Sequence, residues 1–259
     1  MENYPGFAGG ISGASLVERF SKQLDLLGIR VTKADVRKIS RVQGIFLIES
    51  DGGNFSALTV IAATGTRPKT TSLRGSRHLH GSKVFEELAD IPLAQVAGKK
   101  VIVLGGGDAA FDYSLSLLGR GSDVTIVSRS EPRCLSLLRA RADAAGAEVI
   151  VGAVPESLKD FTRGIQLQCR KGNERIEFTA DYVLMACGRE PNVELLDDNL
   201  RRKAGRAPKI PETGVPGFFI AGDVVRGPHR QTAIAAGDGV RAAMLVEEYL
   251  RKRESGVGR

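Results

Sequence analysis

Between positions 14 and 28 the apolar residues Leu16, Phe20, Leu24 and Leu27 recur at helical spacing, and Gly28 stops the run. Three short strand-like segments follow, at 30–32, 44–49 and 57–63. The turn Asp51-Gly52-Gly53-Asn54 separates the last two as a hairpin loop would. Residues 69–97 hold no strong periodic element and read as a connection between domains. A second unit opens at Lys99. Val101-Ile102-Val103-Leu104 is the uninterrupted apolar run of a strand buried on both faces. A helix over 108–118 follows, with Phe111, Leu115 and Leu118 on one side, then a strand at 123–127, a helix at 135–145 and a strand at 148–151. That alternation predicts a parallel sheet with right-handed crossovers. The segments 164–169, 175–178 and 182–186 then read as antiparallel strands. A buried strand ends at Gly222-Asp223, and one helix covers 231–250, with Arg251-Lys252-Arg253 beside its negative end.

Composition narrows the picture. Hydrophobic residues are 42% and charged residues 26% of 259, the balance of a soluble chain that buries a core unaided. No apolar run is long enough to span a bilayer, and residues 1–6 lack the regions of a signal peptide. Cys134, Cys169 and Cys187 are far apart, which argues against a disulfide framework and for a reducing cytoplasm. The net charge of +7 owes much to Arg201-Arg202-Lys203 with Arg206 and Lys209, and to residues 251–253. No aromatic interleaves these clusters, so they read as solvated loop and tail, and no nucleic-acid partner is expected.

The chemistry concentrates at Gly105-x-Gly107-x-x-Ala110, which follows a strand and opens a helix. There the first glycine allows a tight turn, the second lets a pyrophosphate approach, and the small third residue lets helix and strand pack closely. The helix N-terminus at Asp108 and Ala109 adds free amides. The alternative is a glycine-rich turn with no ligand. The next strand ends in Ser128-Arg129, with Arg133 close behind, where NAD-binding units carry a carboxylate. Arginine pairs with a 2′-phosphate, so NADP is expected, unless Arg129 and Arg133 are plain surface charges.

These strings, with others, resemble the thioredoxin reductase family. Glu2-Asn3-Tyr4-Pro5-Gly6-Phe7 with Ile11-Ser12-Gly13 is similar to its flavin-side loop, and Ala63-Thr64-Gly65 to its connecting strand. Gly105 through Ala110 resembles its NADPH loop, and Gly188-Arg189-Glu190-Pro191-Asn192 its return to the flavin domain. Val215-Pro216-Gly217, Ala221-Gly222-Asp223-Val224 and Arg230-Gln231-Thr232 resemble its second flavin motif. The resemblance implies an α/β fold of two Rossmann-like dinucleotide-binding domains. The NADP domain (97–188) would be inserted into an N-terminally incomplete FAD domain (1–96 and 189–259). It implies that Asp223 bonds the ribityl chain of FAD, that Arg230, Gln231 and Thr232 set a helix N-terminus against the flavin pyrimidine, and that Asn3, Thr64 and Gly65 lie near the isoalloxazine. A homodimer is implied as well.

The sequence departs from the family in three ways. The opening strand, glycine loop and helix are missing, which implies a fragment or truncated product, or else weak FAD binding; the first is the expectation. No Cys-x-x-Cys precedes the NADPH loop; Val84 to Pro92 stands there, and the three cysteines are read as packing or bystander residues. Arg129-Ser130 replaces two adjacent arginines. The cysteine-free connector and Gly107-Asp108-Ala109-Ala110-Phe111-Asp112-Tyr113 are also similar to thioredoxin-reductase-like ferredoxin–NADP reductases. The expected activity is hydride transfer from NADPH to FAD, then delivery to a small-molecule or protein acceptor. The alternative is an NADP-binding module without catalysis. His78-x-His80 lacks partner ligands for a metal. His229 is either a proton carrier near the flavin or a loop residue.

Overall fold

The computed structural model describes residues 2–69, 73–162, 164–204, 211–227 and 229–256. Arg206 and Lys209 of the basic cluster lie outside them. In chain order the elements are α1 (Gly13–Leu26), β1 (Val36–Val42), β2 (Ile45–Ser50), β3 (Gly53–Ala57), β4 (Val60–Ala62), β5 (Thr66–Pro68), β6 (Val84–Phe85), β7 (Lys100–Leu104), α2 (Asp108–Leu118) and β8 (Asp123–Ser128). They continue with α3 (Ser136–Ala144), β9 (Glu148–Val151), β10 (Ala153–Phe161), β11 (Gly164–Lys171), β12 (Glu174–Ala180), β13 (Tyr182–Met185), β14 (Arg189–Pro191), α4 (Asp198–Ala204), β15 (Phe218–Ile220) and α5 (Thr232–Glu254).

The chain forms two units, 1–67 with 191–259, and 68–190 between them. It crosses at β5 and β14, which pair with each other. The middle unit therefore begins near residue 68, whereas sequence pattern placed the border at 96–97. The reason is β6, which pairs in parallel with β13 and so belongs to the middle unit's sheet. Two residues of strand are too short for periodicity to reveal.

In the middle unit the parallel sheet has the order β6-β13-β7-β8-β9. The segment 182–186, expected to be antiparallel, is the parallel strand β13, between β6 and the central β7 and in register with β7 from Tyr182↔Val101 to Met185↔Leu104. Val183, Leu184 and Met185 are buried one after another, as a strand covered on both faces requires. One face packs with Phe111, Leu117, Val96 and Ile126. The other packs beneath the antiparallel β10-β11-β12 sheet, through Leu158, Ile165, Leu167 and Cys169. β10 went unread because Pro155 and a register irregularity between Pro155 and Ser157 break its alternation.

The outer unit carries an antiparallel β1-β2-β3 sheet and a parallel β15-β4 pair. Residues 30–32 form no strand; the first one lies at β1 instead, and 57–63 breaks at Leu58 and Thr59. Phe46, Phe218, Ile220, Leu196 and Leu200 fill the core. α5 packs on β15 through Phe219, Ala221, Ala242 and Tyr249. Among the described residues β4 and β15 are the whole of their sheet, and Ile61, Val240 and Met244 are exposed.

Candidate functional site

The first cluster lies at the C-terminal ends of β7, β8 and β13 in the middle unit. Gly105 has φ +148°, and a Cβ there would lie 2.4 Å from the Ala186 carbonyl oxygen and 3.3 Å from Ala110 Cβ. A Cβ on Gly106 would lie 2.4 Å from Ser128 Oγ. A Cβ on Gly107 would meet nothing within 4 Å. Gly105 and Gly106 thus seat the loop on protein, and Gly107 faces open space at the end of α2. No side chain caps that helix end. Asp108, on its first turn, accepts the Leu135 N–H at 2.8 Å instead. Ala109 is exposed and Ala110 buried. The cradle fits a pyrophosphate: an open glycine face, uncapped first-turn amides, and a small residue behind.

Ser128 is buried and its hydroxyl donates to the Ser130 carbonyl at 2.6 Å, so it shapes the turn that presents Arg129. Arg133 N–H donates to the Gly106 carbonyl at 2.7 Å, which moors the second arginine on the glycine loop. Both guanidinium groups are on exposed residues. Gly188, at φ +113°, accepts the Lys69 N–H at 3.0 Å.

The second cluster lies in the outer unit. Asn3 Nδ2 donates to Gln231 Oε1 at 2.6 Å, which joins residues 228 positions apart. Gln231 is the N-cap of α5, and no side chain caps that helix. Arg230 and Thr232 flank it, half-buried. Thr64 Oγ1 donates to the Asn192 carbonyl at 2.6 Å, and Asn192 N–H donates to the Gly65 carbonyl at 3.0 Å. Gly222 at φ +75° ends β15, where a Cβ would stand 3.4 Å from Ala235 Cβ. Half-buried Asp223 follows on a short 3₁₀ turn. An uncapped helix N-terminus is what a flavin pyrimidine gaining negative charge needs. Asn3, Gln231 and Asp223 supply polar groups of the kind that ring and ribityl chain would take up.

Two features escaped sequence reading. Asp238, 5% exposed on α5, binds Arg226 through both oxygens and accepts the Gly222 N–H at 3.2 Å. Arg226 and the Gly222 amide hold its carboxyl below the usual range. The signal was an acid between Gly237 and Gly239 in an otherwise small-residue stretch of helix. The second is a cluster of Glu87, Tyr113 and Arg189: Tyr113 Oη donates to Glu87 Oε2 at 3.0 Å, and Arg189 pairs with Oε1. Burial, then the Glu87 charge, push the Tyr113 phenol up to about 12. The three cysteines are free thiols. Cys169 is buried, and burial raises its thiol to about 11; burial raises Cys134 too; Cys187 is exposed. Among the described residues no group of His, Cys, Asp and Glu could hold a metal ion, and no helix is long and apolar enough to cross a membrane.

A family model described as pyridine nucleotide-disulphide oxidoreductase matches residues 1–239. The thioredoxin reductase of Coxiella burnetii is 30% identical, over 96% of this chain and 83% of its own length. Mitochondrial thioredoxin reductase 1 of Arabidopsis thaliana is 29% identical, over 100% of this chain and 73% of its own. The crystal structure of Lactococcus lactis thioredoxin reductase superposes with a TM-score of 0.84 at 24% identity, over 97% of this chain and 85% of that one. That likeness concerns the fold.

Proposed function

Because the chain belongs to the pyridine nucleotide-disulphide oxidoreductase family, whose thioredoxin reductase members use FAD and NADPH, we propose that it takes hydride from NADPH onto FAD and passes the electrons to an external acceptor without a dithiol of its own. FAD, when bound, supplies a two-electron store between a hydride donor and an acceptor. The residues of the chain do the holding. Gly107 and the first turn of α2 take the pyrophosphate of NADPH, and Arg129 and Arg133 pair with its 2′-phosphate. Asp223, Asn3 and the Arg230-Gln231-Thr232 end of α5 hold the flavin and ease its reduction, with Thr64 and Gly65 beside it.

The observation that carries this reading is the open face of Gly107 beneath an uncapped α2, flanked by two exposed arginines. The sequence given contains no Cys-x-x-Cys, and a dithiol relay needs two neighbouring sulfurs, which supports an acceptor reached without one. The acceptor is a small molecule or a protein, and the net charge of +7 suits an acidic one such as a ferredoxin. Pairing of two copies and a cytoplasmic setting belong to the same proposal. A second reading, an NADP-binding module without catalysis, is favoured by one observation. Among the described residues the outer unit's parallel sheet has only β4 and β15, a narrow platform for a flavin.

A reductive titration with dithionite tests the mechanism. We expect FAD-loaded protein to take up two electrons per flavin; uptake of four would reveal a redox-active dithiol and contradict the proposal.

A further inference from the structure

Two carboxylates belong to the junction of β15 and α5, and they differ in what they touch. Asp223 is half-buried, and among the described residues its side chain makes no hydrogen bond or ion pair. Asp238 is 5% exposed and fully engaged. One of its oxygens accepts from the Gly222 N–H at 3.2 Å and from Arg226 Nε at 2.8 Å, and the other accepts from a terminal N–H of Arg226.

Each of these bonds answers a need of the backbone. The contact of β15 with β4 ends where the Ala221 N–H donates to the Ala62 carbonyl at 3.1 Å. Gly222 comes next and is buried, so its amide needs an acceptor from outside the sheet. Arg226 lies midway along the loop from Asp223 to Gln231. Its N–H donates to the Asp223 carbonyl at 3.4 Å, and its carbonyl accepts the His229 N–H at 3.0 Å. A Cβ on Gly222 would stand 3.4 Å from Ala235 Cβ, so the helix lies against the turn. Asp238, on the second turn of α5, thus ties the end of β15, the loop and the helix into one ring of bonds. The two ends of that loop are Asp223 and the start of α5 at Gln231, the groups given to the flavin above.

Charge matters as well as shape. A carboxylate on the second turn of α5 offsets the positive end of that helix, which is the end that favours a flavin gaining negative charge. Arg226 cancels the carboxylate at contact distance. We propose that Asp238 and Arg226 are positioning residues of the flavin site, a charge-neutral clamp that fixes Asp223 against the start of α5 and leaves the field of that helix end intact. The inference rests on the FAD reading above.

The test loads the full chain with FAD and reads the dissociation constant and the midpoint potential of the flavin, with circular dichroism to confirm the fold. Asp238→Asn keeps the shape of the side chain and leaves Arg226 as a surplus cation. The potential should rise, and FAD should bind about tenfold more weakly, as loss of a charge-assisted hydrogen bond does. Arg226→Gln leaves the carboxylate in surplus, so the potential should fall, with FAD again weakened about tenfold. Arg226→Lys keeps the charge without the two-pronged grip. Its potential should match the parent's while FAD weakens about threefold, and it tests the same point if another variant fails to fold. Opposite shifts of potential are a result that a merely structural pair would not give. Potentials that move the same way in Asp238→Asn and Arg226→Gln, or FAD affinities equal to the parent's in all three variants, would overturn the inference while leaving the FAD reading in place. A parent chain that takes up no FAD would overturn the FAD reading, and this inference with it.

Discussion

At the residue scale, three consecutive glycines divide two jobs: Gly105 and Gly106 seat the loop on protein, and Gly107 leaves open space. Gly105 combines a left-handed backbone with a backbone oxygen 2.4 Å from any added Cβ, so a methyl there strains the chain and pushes β7 off the loop after β13. Gly107 has φ −98° and open space around it. Gly105→Ala should therefore cost about 2 kcal/mol of stability, read as a lower urea midpoint. Gly107→Ala should fold as the parent does and still bind NADP⁺ less tightly, because its methyl occupies the phosphate's approach. If Gly107→Ala bound NADP⁺ as tightly as the parent, the phosphate would lie elsewhere. Sequence spacing identified this loop because its chemistry is local, carried by residues within one strand, turn and helix. The Asn3–Gln231 bond joins residues 228 positions apart, and no local spacing reveals it.

At the scale of elements, α5 is held to the turn after β15 by one carboxylate. Asp238 grips Arg226 and the Gly222 amide, and so fixes the turn that presents Asp223. Asp238→Asn should destabilise the chain by about 2 kcal/mol near pH 7, since it leaves a guanidinium without its anion. The folded carboxyl titrates below its ordinary value, so its stabilisation is complete above the unfolded pKa of about 4 and is lost as the pH falls through the folded one. The gap between variant and parent in urea midpoint should accordingly close under acid; a gap that held constant would deny the pair its role. Helices α1, α2, α3 and α5 were legible because 3.6-residue periodicity and glycine stops survive in a single sequence, whereas the seven-residue α4 was not read. β13 was misjudged because a short apolar run does not tell parallel from antiparallel. β6 and β10 were missed because two residues, and a proline with an irregular register, carry no alternation.

At the scale of the whole molecule, the chain visits one unit, builds a second, and returns to finish the first. The order of motifs made that nesting legible in sequence, while the border near residue 68 needed the pairing of β6 with β13. The central claim is that the unit formed from the two chain ends holds a flavin that NADPH reduces. The most direct measurement is the visible absorption spectrum of the purified chain supplied with FAD, before and after anaerobic addition of NADPH. The account predicts a protein-bound flavin spectrum that bleaches on addition. A chain that stays colourless and leaves added FAD free in solution would contradict it and leave the NADP-binding module as the reading.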